Sequence, residues 1–106
     1  MTEADFQRQV IDLARLYGWR CAHFRPAQNS HGQWRTPVAA DGKGFPDLVL
    51  VRDRVVFVEL KAARGRATPE QREWLAALRH AGVEAYLWRP RDFDDLHDVL
   101  KETAHA

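Results

Sequence analysis

Apolar side chains at Phe6, Val10, Leu13, Ala14 and Tyr17 recur at helical spacing after Thr2, and Gly18 follows where a helix stops. The pattern predicts a first helix over about residues 3–17. Thr2 and Asp5 stand at capping-box spacing, with Asp in place of the favoured Glu or Gln. Bulky residues alternate from Trp19 to Arg25, a short strand that Pro26 ends. Residues 26–46 then lose periodicity. Pro26, Gly32, Pro37, Gly42, Gly44 and Pro46 punctuate a polar stretch that reads as a long loop, a class that is either functional or disordered. The segment DLVLVRDRVVFVELK follows. Leu48–Val51 and Val55–Val58 are apolar on both faces, the mark of strands covered on both sides, and Arg52-Asp53-Arg54 fits a hairpin loop. Thr68-Pro69-Glu70-Gln71 opens a second helix with Thr as N-cap, Pro at N1 and Gln at N3. Trp74, Leu75 and Leu78 line its inner side and Gly82 ends it. Val83–Trp88 alternates as a fourth strand. Asp92 caps a last helix that buries Phe93, Leu96, Val99 and Leu100. The order is αβββαβα, which predicts an α/β fold with helices packed on a mixed four-stranded sheet.

Composition narrows this picture. A chain of 106 residues fits one domain, residues 1–106, and 45% hydrophobic residues with four Trp and five Phe supply its core. The net charge of +1 says little, but its distribution says more. Residues 92–106 carry five acids against one lysine, so an acidic tail follows a body of 15 bases and 10 acids. One cysteine, Cys21, excludes an intramolecular disulfide and a multi-cysteine zinc site. No apolar run reaches membrane-spanning length and the polar N-terminus lacks a signal peptide's apolar stretch, so a soluble, cytoplasmic protein without membrane contact is expected.

Asp47, Glu59 and Lys61 stand out because the strands around them are otherwise apolar. Glu59 and Lys61 are two apart and share a strand face. If Arg52–Arg54 form the loop, Val51 pairs with Val55, Asp47 falls opposite Glu59, and three charged groups converge at one end of the hairpin. A two-residue loop would pair Asp47 with Leu60 and send it to the other face. Two carboxylates beside a lysine suit a hard cation such as Mg²⁺. Glu59 and Lys61 alone are equally an ion pair closing a strand end. The string GFPDLVLVRDRVVFVELKAARGRATPEQREWLAALRHAG adds the context: Pro46-Asp47, then Glu59-Leu60-Lys61, then Gly65, then Gln71 at the head of a helix.

These four elements in this order resemble the VRR-NUC nucleases, a branch of the PD-(D/E)XK superfamily, over about residues 3–100. The resemblance implies a restriction-endonuclease-like fold and a metal-dependent DNA endonuclease that leaves 5′-phosphate and 3′-hydroxyl ends. It implies a phage-type role in replication, repair or recombination, structure-specific or nicking. It also implies that Asp47, Glu59 and the Leu60 carbonyl hold Mg²⁺ or Mn²⁺, with Lys61 as the catalytic lysine and Gln71 near it. Glu3 is the best match to an acid that family members carry on the first helix, which would make it a further metal contact. As a first-turn acid it is equally explained by the helix dipole, and Gln71 by its capping role.

Other residues are candidates for DNA contact. Arg25, Trp34, Arg35 and Lys43 make the long loop basic and aromatic, and Arg64 and Arg66 follow the motif strand, a pattern that suits phosphate tracking and base stacking as well as plain solvated charge. The histidines have no partners at metal spacing, and His97 reads as a surface residue. A sequence-specific restriction or homing-type enzyme lacks a recognition element in this chain, and a non-catalytic DNA-binding module does not need two acids facing phosphate. Cutting both strands of a duplex takes two hydrolyses, so a homodimer is expected, joined through the acidic last helix while the basic loop faces DNA.

Overall fold

The computed structural model describes residues 1–24, 27–28, 30–35 and 37–103, those at 27, 28, 34 and 35 by their backbone alone. Helix α1 spans Glu3–Leu16, opened by a reciprocal capping box in which Thr2 Oγ1 accepts from the Asp5 amide and Asp5 accepts from the Thr2 amide. Gly18, at φ +87°, turns the chain into β1, Arg20–His23. The motif hairpin is β4, Leu48–Val51, and β5, Val55–Leu60. Helix α2, Pro69–His80, crosses over to β6, Glu84–Trp88, and a 3-10 turn at Pro90–Asp92 leads into α3, Phe93–Lys101. Asp92 takes its capping bond backwards: its carboxylate accepts from the Arg89 amide at 2.8 Å and stabilises the 3-10 turn.

The sheet order is β1-β4-β5-β6, antiparallel except for the β5–β6 pair, so the sheet is mixed and the fold is α/β, as the hydrophobic pattern predicts. Residues 26–46 depart from the expected loop. Within them β2, Ala27–Gln28, and β3, Trp34–Arg35, form a small antiparallel ladder, with Ala27 opposite Arg35 and Gln28 opposite Trp34. Two-residue strands are too short to show alternation in a sequence.

One face of the sheet carries α1 and α3. There Phe6, Val10 and Ala14 meet Leu48, Leu50, Val56, Val58, Leu60, Trp88, Leu96 and Leu100 in one core. The other face carries α2, with Leu75 and Ala85 buried. The cover on this second face runs out at the hairpin tip, where Val51 and Val55 are exposed although their sequence reads as covered on both sides. The tip is held instead by Arg52, which donates to the carbonyls of Tyr17 at 3.0 Å and Leu100 at 3.1 Å and lies over the Trp19 ring. Two helix C-termini thereby meet a guanidinium. His97 is half-buried rather than on the surface, its Nε2 2.9 Å from the Tyr17 hydroxyl across the α1–α3 contact. Among the described residues no helix is long and apolar enough to cross a membrane.

Candidate functional site

The hairpin register fixes the site. Val51 pairs with Val55 across the three-residue loop, and the ladder continues through Leu50–Val56 and Val49–Phe57 to Leu48–Val58. The next rung sets Asp47 opposite Glu59. Side chains at 47, 49, 57, 59 and 61 point to the α2 face, and those at 48, 50, 56, 58 and 60 to the core face. The Asp47 carbonyl accepts from the Phe24 amide on the β1 side at 3.0 Å, so Asp47 directs its backbone away from β5. The Asp47–Glu59 rung is therefore of the non-hydrogen-bonded kind, in which side chains approach most closely.

Leu60 faces the opposite way. Its amide points at β4 and donates to Asp47 Oδ2 at 3.0 Å. Its carbonyl points to the same side, as a strand residue's two backbone groups do. Extending the ladder two rungs past Leu48–Val58 brings Pro46, which has no N–H to donate, opposite it. Pro46 thus leaves the Leu60 carbonyl without a ladder donor, next to the Asp47 carboxylate.

Glu59 is 1% exposed, the one charged residue buried among those described. Its Oε2 accepts from Gln71 Nε2 at 3.0 Å and lies 3.7 Å from Lys61 Nζ. Its Oε1 has no hydrogen-bond partner. Burial first, and then the neighbouring Asp47 charge, push the Glu59 pKa up to about 8, with Lys61 only partly opposing them. A buried carboxylate with an unsatisfied oxygen normally represents a large penalty. Two carboxylates and a main-chain carbonyl are a donor set that fits a hard divalent cation with water completing its shell. Among the described residues no three His, Cys, Asp or Glu side chains converge into a closed cage.

Gln71 serves two partners with one amide. Its Oε1 accepts from the Thr68 amide at 2.9 Å as the N3 member of the α2 capping box, while its Nε2 holds Glu59. Gly44 brings the preceding loop against this helix start. It has φ +85°, and a Cβ there would lie 2.6 Å from the Glu70 carbonyl carbon and 2.7 Å from the Gln71 nitrogen. Only glycine permits that approach. On the other side of the site, Arg89 Nη1 donates to the Ala62 carbonyl at 3.0 Å and also binds the Gly65 carbonyl, fixing the turn after Lys61.

The remaining candidates are spread more widely. Glu3 is exposed at the start of α1 and close enough to Glu59 to repel it, although more weakly than Asp47 does. Nearby, Gln7 of α1 hydrogen-bonds the His23 ring. Arg64 and Arg66 are exposed on the connector that follows Lys61, and exposed Lys43 lies 3.4 Å from Glu70. Arg25 and the side chains of Trp34 and Arg35 lie outside the described residues.

Two features escaped the sequence pattern. Phe24 follows β1 and occupies the same rung as Asp47 and Glu59 on the α2 face, because its amide bonds the Asp47 carbonyl. A cleft of ≈ 490 Å³ opens beside it, lined by Phe24, Val38, Phe45 and Lys43 and closed at its polar end by Asp47 and Gln71. No spacing rule reveals either one, since the β1–β4 register must be known first.

The family model of the VRR-NUC domain matches residues 28–92, more than half of the chain and all of the motif hairpin. The chain belongs to the VRR-NUC family. This is a nuclease family, and the α/β architecture of this VRR-NUC domain agrees with a restriction-endonuclease-like fold. No curated protein and no solved structure matches the chain.

Proposed function

We propose that this VRR-NUC domain is a metal-dependent endonuclease that hydrolyses DNA phosphodiester bonds, using Mg²⁺ or Mn²⁺. The observation that carries the reading is the buried Glu59 oxygen without a partner, on the residue opposite Asp47, whose own carboxylate accepts from the Leu60 amide. Asp47, Glu59 and the Leu60 carbonyl hold the cation, which supplies charge neutralisation on the phosphate under attack and acidifies water. Lys61, 14% exposed and within 4 Å of Glu59, orients the attacking water and meets the charge that develops on the phosphoryl oxygens. Gln71 holds Glu59 by its Oε2 and leaves Oε1 available to a cation that would bind there. Arg64, Arg66 and Lys43 supply phosphate contacts around the rim. Glu3, which repels the Glu59 carboxylate from the start of α1, is a further acid available to the cation.

The test is a pair of variants. Lys61→Ala is expected to lower cleavage by about 10²–10³-fold or more while leaving Mn²⁺ and DNA binding in place. Asp47→Asn is expected to lose Mn²⁺ binding by calorimetry together with activity. Cleavage at the parent rate by Lys61→Ala would refute the assigned role. A panel of junction, flap, nicked and plain duplex DNA with and without Mg²⁺ separates a structure-specific enzyme from a nicking one. The reading includes a two-fold homodimer that presents two sites to two strands. Sedimentation at micromolar protein giving only a 12.2 kDa species, with and without DNA, would leave sequential nicking by a monomer.

A further inference from the structure

The endonuclease reading names a phosphodiester but not the part of the site that takes the neighbouring base. The rung containing Asp47 and Glu59 continues one strand further to Phe24, so the Phe24 backbone lies one strand spacing, ~4.8 Å, from Asp47 and two from Glu59, with its side chain on the same face as both carboxylates. Phe24 is 42% exposed, and its ring is nearly perpendicular to that of Phe45 at 5.7 Å. Phe45 is in turn fixed edge-on by Phe57 and Trp74 at 5.9 and 5.1 Å. This braced wall forms one side of the ≈ 490 Å³ cleft, and Val38, 53% exposed, forms part of its mouth. Such a volume is within the range of small-ligand sites. The cleft's polar end is Asp47 and Gln71, so whatever fills it is continuous with the group held at the carboxylates.

We propose that this cleft receives an unpaired nucleobase of the strand being cut, stacked on Phe24 while its neighbouring phosphate sits at Asp47 and Glu59. The inference rests on the endonuclease reading and specifies where that site would take the base next to the scissile phosphate: the cleft beside Asp47, against Phe24. A paired base cannot enter, because it is stacked and hydrogen-bonded within the duplex. An unpaired base presents a π-face that any aromatic wall accepts regardless of sequence. Lys43, exposed at the cleft edge, faces the backbone of the same strand.

The experiment uses the full chain with Ca²⁺ in place of Mg²⁺ and two DNA probes of the same sequence, one forked with 2-aminopurine at its first unpaired position and one fully paired. Fluorescence of 2-aminopurine is expected to fall when the parent protein binds the fork. Phe24→Ala is expected to weaken fork binding about tenfold and to abolish the fluorescence change, with no comparable loss on paired DNA. Phe24→Trp keeps both signals. Val38→Glu, at an exposed position that folding tolerates, reproduces the Phe24→Ala loss by placing a carboxylate where the base enters. Equal affinities of parent and Phe24→Ala for the fork, or equal losses on both probes, would overturn the inference. Those results would leave the endonuclease reading intact, because that reading fails only if Asp47→Asn and Lys61→Ala still cleave.

Discussion

The two faces of one four-stranded sheet follow opposite rules. Toward α1 and α3, Leu48, Leu50, Val56, Val58 and Leu60 are fully buried and aliphatic. Toward α2, the alternate positions of the same two strands carry Asp47, Phe57, Glu59 and Lys61, beside a wall of Phe24, Phe45 and Trp74. The backbone is shared, so the difference is only the parity of the residue number. One face maximises dispersion and apolar burial, which hold the strands in register. The other uses that rigidity to hold in place a buried carboxylate that would otherwise turn out to solvent, where it ionises more readily. On the proposed reading the core face sets stability and the α2 face sets chemistry, and substitutions on the two faces are expected to separate these quantities.

The largest expected effect on stability belongs to the core face. Leu50→Ala removes a fully buried side chain from the middle of β4 and is expected to destabilise the domain by about 2–5 kcal/mol. A shift of ~4–8 °C in Tm per kcal/mol applies to a domain near this size, so thermal denaturation reads the loss directly. Cleavage by Leu50→Ala at a temperature where it remains folded should stay near the parent rate. A loss of activity without loss of Tm would break the division between the faces.

Much of this division was legible in the sequence, and the reasons are local. The apolar runs of β4 and β5 fix the strands, and the count of three residues in Arg52-Asp53-Arg54 fixes the rung that sets Asp47 against Glu59. Thr68, Pro69 and Gln71 announce the α2 N-terminus through capping chemistry that acts over three residues. Contacts that depend on distant register were not legible. Phe24 reaches the Asp47 rung only through the β1–β4 pairing, and no pattern within Trp19–Arg25 encodes which strand it joins. The part played by Pro46 is also hidden until the register shows that it faces Leu60. His97 looked exposed because its partner, Tyr17, is 80 residues away.

A smaller and more selective effect is expected where the loop meets the α2 face. Gly44→Ala places a Cβ within 2.6–2.7 Å of the Glu70 and Gln71 backbone and imposes φ +85° on a residue that disfavours it. The strain is about 1–2 kcal/mol for the backbone conformation alone, with the clash added. Relief requires the α2 N-terminus to move away, which pulls Gln71 from Glu59. Gly44→Ala is therefore expected to lower kcat by a larger factor than Leu50→Ala at matched stability, as measured in a single-turnover cleavage assay. Equal kcat values in the two variants would mean that Gln71 does not depend on this approach.

The smallest effect has the opposite sign and comes from Glu59 itself. Its pKa rises from an ordinary 4.5 to about 8, mainly through burial and then through Asp47. Between those two values the folded protein keeps a proton that the unfolded chain has released, so stability without a divalent ion falls as pH rises from about 4.5 to about 8 and levels off above. Glu59→Gln keeps the shape and an oxygen that can accept from Gln71, but cannot ionise. At pH 5 parent and variant are expected to melt close together. At pH 8 the variant is expected to melt higher by on the order of 5 °C, equivalent to about 1 kcal/mol. Part of the pKa-driven penalty is offset because the variant also loses its attraction to Lys61. Added Mn²⁺ should raise the Tm of the parent more at pH 8 than at pH 6, since the cation takes the place of the proton, and should leave Glu59→Gln nearly unmoved. A parent Tm that rises with pH across this range in EDTA would contradict the buried, proton-holding state of Glu59, and with it the view that the α2 face trades stability for a cation site.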